Sequence, residues 1–144
     1  MQINGNWWLC DDGIVRPLIT GDLLSGNGDW EITEFLVDTG ADRTVINAAT
    51  LAKLDLLPIG NNEGISGLGG EADSVLVSTE IRLIRETGVG VIFRGEYAAV
   101  TESAALDICV LGRDILGLFA VIVDQPNEIV CLLRQRHHYT IEQA

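Results

Sequence analysis

Apolar residues in this chain alternate with polar ones or gather in short blocks, and only briefly recur at helical spacing. Residues 14–20 read as a strand, with Pro17 marking an edge or a break in the ladder. Residues 21–24 form the next strand, and Asn27-Gly28 predicts a hairpin turn before a return strand over 30–37. A short strand over 43–46 follows. Asn47 then caps a short helix rich in alanine and leucine, which Pro58 and Gly60 end. Val75, Val77, Thr79, Ile81 and Leu83 alternate, predicting a half-exposed strand over 71–83, and 88–100 predicts its partner. The apolar run 105–111 predicts a buried strand that stops at Gly112, where a second short helix starts. Residues 119–124 and 128–133 predict a closing hairpin. The pattern is all-β with one or two short helices.

Composition narrows the picture. A chain of 144 residues predicts a single domain, 1–144, with its core over about 14–133. A hydrophobic fraction of 47% excludes disorder, and 16 glycines suit a turn-rich β protein. The net charge is −12, with Lys53 the only lysine, which argues against nucleic acid as a partner. Cys10, Cys109 and Cys131 are widely spaced and form no C-x-x-C, so buried free thiols are expected. No stretch approaches the roughly 20 apolar residues of a membrane helix. The expectation is a soluble, cytoplasmic protein with no membrane contact. Adjacent His137 and His138 lack further ligands at metal spacing, so neither a metal nor another cofactor is expected.

One stretch interrupts the β pattern with chemistry. The apolar run Phe35-Leu36-Val37 stops at Asp38-Thr39-Gly40-Ala41-Asp42. Gly40 permits a sharp turn, and the Thr39 hydroxyl can satisfy backbone groups there. Such a loop holds one acid, Asp38, still at the end of a buried strand. Residues 59–70 carry five glycines, Gly60, Gly64, Gly67, Gly69 and Gly70. A phosphate cradle is a poor reading of them, because no Lys-Ser/Thr follows and the charge balance is wrong.

The loop Asp38-Thr39-Gly40-Ala41-Asp42 is similar to the active-site loop of the retropepsin-like aspartic proteases. Three further stretches match that family in order: Arg16-Pro17-Leu18-Ile19-Thr20, Ile65-Ser66-Gly67-Leu68-Gly69-Gly70, and Val110-Leu111-Gly112-Arg113-Asp114-Ile115-Leu116. Together they span roughly residues 14–120. A lone Asp-Thr-Gly is a weak signal, whereas four ordered matches are specific. The resemblance implies a closed β-barrel, an acid-protease half-domain, that forms a symmetric homodimer.

Aspartic proteolysis needs two carboxylates that share a proton. This chain has one Asp-Thr-Gly, and Asp11-Asp12-Gly13 lacks both the hydroxyl residue and the apolar strand before it. The resemblance therefore implies an aspartic endopeptidase whose dyad is Asp38 and its twin in a second copy. Thr39 would brace the opposite loop, and Gly40 would hydrogen-bond the substrate backbone. A flap over about 63–72 would close on an extended peptide. The substrate would be surrounded by Leu36, Ala41, Asp42, Arg43, Val45, Ile65, Ser66, Gly67, Leu68, Gly69, Ile108 and Val110. The apolar ones imply a preference for apolar or aromatic residues flanking the cut. Arg43 stands where viral members carry Asp, which would favour acidic residues at neighbouring substrate positions.

By the same resemblance, Arg113 holds Asp42 through two parallel hydrogen bonds, and Arg16 reaches the partner's Asp42. The termini, including Trp7-Trp8 and residues 139–141, are expected in the dimer interface, and residues 1–14 are open to self-trimming. The helix after Ile46 is closer to cellular or bacterial relatives than to viral ones. The alternative is a catalytically silent dimerisation or peptide-binding module, which would tolerate Asp38→Asn where a protease would not. A glycosidase is a poorer reading, since it needs two different acids at a set separation.

Overall fold

The computed structural model describes residues 1–67, 70–135 and 138–142, and the side chains of all of these except 61–67 and 70–72. The strands are β1 (Gln2–Asn4), β2 (Asn6–Leu9), β3 (Val15–Leu24), β4 (Trp30–Val37), β5 (Val45–Ile46), β6 (Gly60–Gly67), β7 (Gly70–Ile84), β8 (Gly90–Val100), β9 (Cys109–Leu111), β10 (Ala120–Asp124) and β11 (Ile129–Leu133). Two short helices, α1 (Ala48–Leu54) and α2 (Arg113–Leu116), complete the described elements. The protein is mostly β, as the alternation predicts. Leu68, Gly69, Arg136 and His137, to which the expectations for the flap tip and the basic tail extend, lie outside the described residues.

Eight strands form one sheet in the order β2-β3-β4-β9-β5-β8-β7-β6, and β3 also pairs with β7. That extra ladder matches Asp22 with Arg82 and Leu23 with Ile81, so the sheet folds back on itself. It also corrects the division of β3 at Gly21. A Cβ on Gly21 would lie 2.7 Å from a Leu83 methyl and 2.9 Å from the Arg82 carbonyl oxygen. Glycine is there to let β7 cross β3 closely, and one ten-residue strand runs through it. Pro17 sits one residue outside the β3–β4 ladder, which starts at Leu18↔Leu36, so its missing N–H costs nothing there.

A second sheet, β1-β11-β10, carries the chain ends, and Ala120–Asp124 pairs with Ile129–Leu133 as the expected closing hairpin. The Asn27-Gly28 turn also forms. The Ser25 amide donates to the Asp29 carbonyl at 2.8 Å, with Gly28 at φ 92. Asn47 caps α1, accepting from the Thr50 amide at 3.0 Å, and Leu54 anchors the helix in the core with no exposure.

The apolar run 105–111 is a strand only over Cys109–Leu111. Upstream of it, the Asp107 carbonyl accepts from the Asn47 side chain at 2.9 Å, and Leu106 packs against the cluster formed by Val45, Val100 and Val110. The first part of that run is a covering loop. The 43–46 strand likewise shrinks to Val45–Ile46, because the Thr44 amide is taken by a carboxylate rather than by a neighbouring strand.

Side-chain alternation divides the central strands between two clusters. Ile19, Phe35, Val37, Ile46, Cys109 and Leu111 enter the main core. Their neighbours Leu36, Val45 and Val110 point the other way, into a satellite cluster completed by Val100, Ala41 and Leu106. Leu18, Leu36, Val110 and Val45 lie on one line across four strands.

Candidate active site

Asp38 follows directly on β4. Strand β4 runs parallel to β9 with Leu36 opposite Val110 and Val37 opposite Leu111, and the Asp38 amide extends that ladder to the Leu111 carbonyl at 3.2 Å. By alternation its side chain follows Leu36 onto the face of the satellite cluster. The loop then closes on itself. The Gly40 amide donates to Asp38 Oδ1 at 3.0 Å and the Ala41 amide to the Asp38 carbonyl at 3.2 Å. Asp38 is half-buried, while Thr39 and Gly40 are exposed beside it.

The segment from Gly112 to Ile115 braces this loop from behind. A Cβ on Gly112 would lie 2.3 Å from the Arg43 carbonyl carbon and oxygen, so only glycine fits there. The Gly112 amide donates to Thr44 Oγ1 at 3.2 Å, and the Arg113 amide to the Ala41 carbonyl at 2.8 Å. Asp114 accepts from the Thr44 amide at 3.0 Å, from its hydroxyl at 2.7 Å and from the Ile115 amide at 2.9 Å. Thr44 is wholly buried.

Arg113 pairs with Asp42, but not through two parallel bonds to the carboxylate. Its Nη2 donates to Asp42 Oδ1, and its Nη1 donates to the Thr39 carbonyl at 2.8 Å. The planar guanidinium bridges the two acceptors that the loop offers it.

Of the apolar positions expected around the substrate, Leu36, Ala41, Val45 and Val110 come together in the satellite cluster. Ile108 lines an adjacent cavity of about 980 Å³. Arg43 is exposed. Arg16 is held within its own chain by both Asp12 oxygens, at 2.9 and 2.7 Å. Ile65, Ser66 and Gly67 lie on β6, which forms a hairpin with β7 through Ile65↔Ala72, Ser66↔Glu71 and Gly67↔Gly70. Asp114 is visible in the sequence only as part of the Val110–Leu116 match and Thr44 only as part of a short strand, and nothing local signals the contact between them.

Two titratable groups behind the site are pushed toward their neutral forms. Burial, with Asp114 adding to it, raises the Tyr97 phenol to about 12, and its hydroxyl donates to the Phe93 carbonyl at 2.9 Å. Burial also raises the Cys109 thiol, against the opposing pull of Thr50 and Asn47. Cys109 is therefore a packed core side chain rather than a nucleophile.

A family model described as aspartyl protease matches residues 24–115. Among solved structures, the chain is similar to a retropepsin-like aspartic protease from Rickettsia conorii. The two share 18% identity at a TM-score of 0.55, over 92% of this chain and 98% of that one. It is also similar to EIAV protease complexed with the inhibitor HBY-793. There the identity is 24% and the TM-score 0.52, over 71% of this chain and 86% of that one. No curated protein matches significantly.

Proposed function

Because the chain belongs to the aspartyl protease family, we propose that it is an aspartic endopeptidase whose catalytic dyad is Asp38 and the partner's Asp38 in a symmetric homodimer. The observation that carries this reading is the braced loop. One carboxylate, fixed by its own Gly40 amide and backed by Gly112–Ile115, shares its face with the apolar satellite cluster. Thr39 and Gly40 are exposed on the same loop, free to meet a second copy and a peptide backbone. The β3–β7 ladder fits the closed barrel of such a half-domain, and the β6–β7 hairpin fits a flap.

In this mechanism the ionised Asp38 takes a proton from a water whose oxygen attacks the scissile carbonyl carbon. The protonated twin gives its proton to the carbonyl oxygen. The tetrahedral diol then collapses: a proton passes to the amide nitrogen, the C–N bond breaks, and the dyad again holds one proton. The two carboxyls titrate as a pair. Arg113 acts as a positioning residue, holding the loop through Thr39 and Asp42 without touching the reacting atoms.

The test compares wild type with Asp38→Asn on a degenerate peptide library from about pH 4 to 7, where such a dyad titrates. Cleavage is expected from wild type alone, with specific activity rising with protein concentration. Peptides bound equally by both proteins and cleaved by neither would overturn the protease reading and leave a peptide-binding module.

A further inference from the structure

The N-terminal hairpin, formed by β2 and the start of β3, lies outside the stretch 24–115 matched by the family model. The ladders nevertheless bring it to the candidate active site. Trp8 pairs with Arg16, which lies two residues before Leu18; Leu18 pairs with Leu36, which lies two residues before Asp38. Side chains two apart on a strand share a face. Trp8, Arg16, Leu18, Glu34 and Leu36 therefore stand on the face that carries Asp38. The cavity of about 980 Å³ opens on this face, with Trp8, Leu18, Leu106 and Ile108 as apolar lining and Glu34 and Asp107 among its polar residues. The two adjacent tryptophans have divided their roles. Trp7 packs against the core and donates its indole N–H to the Ile129 carbonyl at 3.0 Å, whereas Trp8 is 56% exposed.

We propose that Trp8 is a specificity-determining residue, forming one wall of a pocket for a bulky apolar or aromatic side chain of the substrate peptide. The proposal rests on the endopeptidase reading and names the substrate class of that same site. An indole offers a large, rigid apolar surface, and Leu18, Leu106 and Ile108 supply aliphatic surface around it. Acidic substrate side chains are disfavoured at this position. Glu34 and Asp107 repel them, and the local cation, Arg16, already has both terminal nitrogens on Asp12.

Peptides differing only by Phe, Leu, Ala or Glu at one scanned position would be assayed with wild type, Trp8→Ala and Trp8→Phe, and self-association followed by sedimentation. At one substrate position, Trp8→Ala is expected to lower kcat/KM for the Phe and Leu peptides about tenfold, through KM, while the Ala peptide is unchanged. Trp8→Phe retains most of the preference, and sedimentation is the same for all three proteins. Equal losses on every peptide, or weakened self-association in Trp8→Ala, would overturn the pocket and assign Trp8 to folding or to the contact with a second copy. If wild type cleaves nothing, the endopeptidase reading has failed separately, and the same peptides are then scored as ligands. Tighter binding of bulky peptides that Trp8→Ala abolishes supports the pocket, and equal binding overturns it.

Discussion

Removing the Asp114 carboxylate should cost far more stability than removing the more conspicuous Asp42. Asp114 accepts from the amide and hydroxyl of Thr44, a residue with no solvent exposure, and from the Ile115 amide. In Asp114→Ala, two buried Thr44 donors lose their acceptor, at about 1–3 kcal/mol for each donor left unsatisfied. Asp114 itself is exposed, so water reaching Thr44 in its place, together with rotation of the hydroxyl, offsets part of this, and the expected loss is about 2–4 kcal/mol. Asp42 and Arg113 are instead 82% and 53% exposed at their side chains, and an ion pair of that kind contributes about 0–1 kcal/mol. The assay is equilibrium urea unfolding of wild type, Asp114→Ala and Asp42→Ala at one fixed protein concentration, since self-association would shift apparent stability. In a thermal melt the Asp114→Ala loss corresponds to roughly 5–12 °C. The two variants falling within about 0.5 kcal/mol of each other would refute the idea that the loop is braced from Asp114.

Three other outcomes follow from the geometry. Gly112→Ala places a methyl 2.3 Å from the Arg43 carbonyl and is expected to destabilise by about 3 kcal/mol or more, whereas Gly60→Ala, with open space around it, should stay within about 0.5 kcal/mol of wild type in the same urea assay. The Asp12 carboxyl is held at about 2, against its ordinary 3.8, by the Arg16 hydrogen bonds and then by the Ile14 amide. A carboxyl depressed in the folded state contributes stability above its unfolded value and loses it as pH falls through the folded one. The stability contributed by the Asp12–Arg16 pair should thus be complete above about pH 4 and be lost as pH falls toward about 2, where the carboxyl itself titrates, with Arg16→Ala returning the Asp12 NMR titration midpoint toward 3.8. Finally, Cys109 and Cys131 are buried and their thiols raised by that burial, while Cys10 is half-exposed. A thiol reagent at neutral pH should consume one thiol quickly in the native protein and all three after unfolding.

What the chain disclosed in advance was whatever its local pattern determines. Alternation in 75–83, the Asn27-Gly28 turn, the Asn47 cap and the Asp38 loop depend on neighbours within a few residues, and each appears where the pattern puts it. The misreadings all involve distant partners. Gly21 looks like a strand break until Leu83 is laid across it. Residues 105–108 look like strand because three of the four are apolar, yet they form a loop from which Leu106 packs against the cluster of Val45, Val100 and Val110. The Thr44–Asp114 contact joins residues 70 apart, and neither partner is distinctive alone. Arg113 and Asp42 were visible through family resemblance, but how the guanidinium divides between Asp42 and Thr39 depends on the path of the loop backbone. Trp8 and Trp7 are the same residue in sequence, and only the register of β2 separates one from the other.

The parallel pairing of β4 with β9 has a kinetic consequence. Phe35–Val37 meets Cys109–Leu111 across more than seventy residues, so this contact carries a high loop-closure cost and belongs to the slow part of folding. Everything that steadies Asp38 from behind, from the Leu111 carbonyl to Gly112, Arg113 and Asp114, arrives with β9 or just after it. A growing or truncated chain that stops short of residue 109 carries its Asp-Thr-Gly on an unsupported turn. The acid is in place only once the chain has folded as far as Asp114, which ties the assembly of the candidate site to a late, long-range contact.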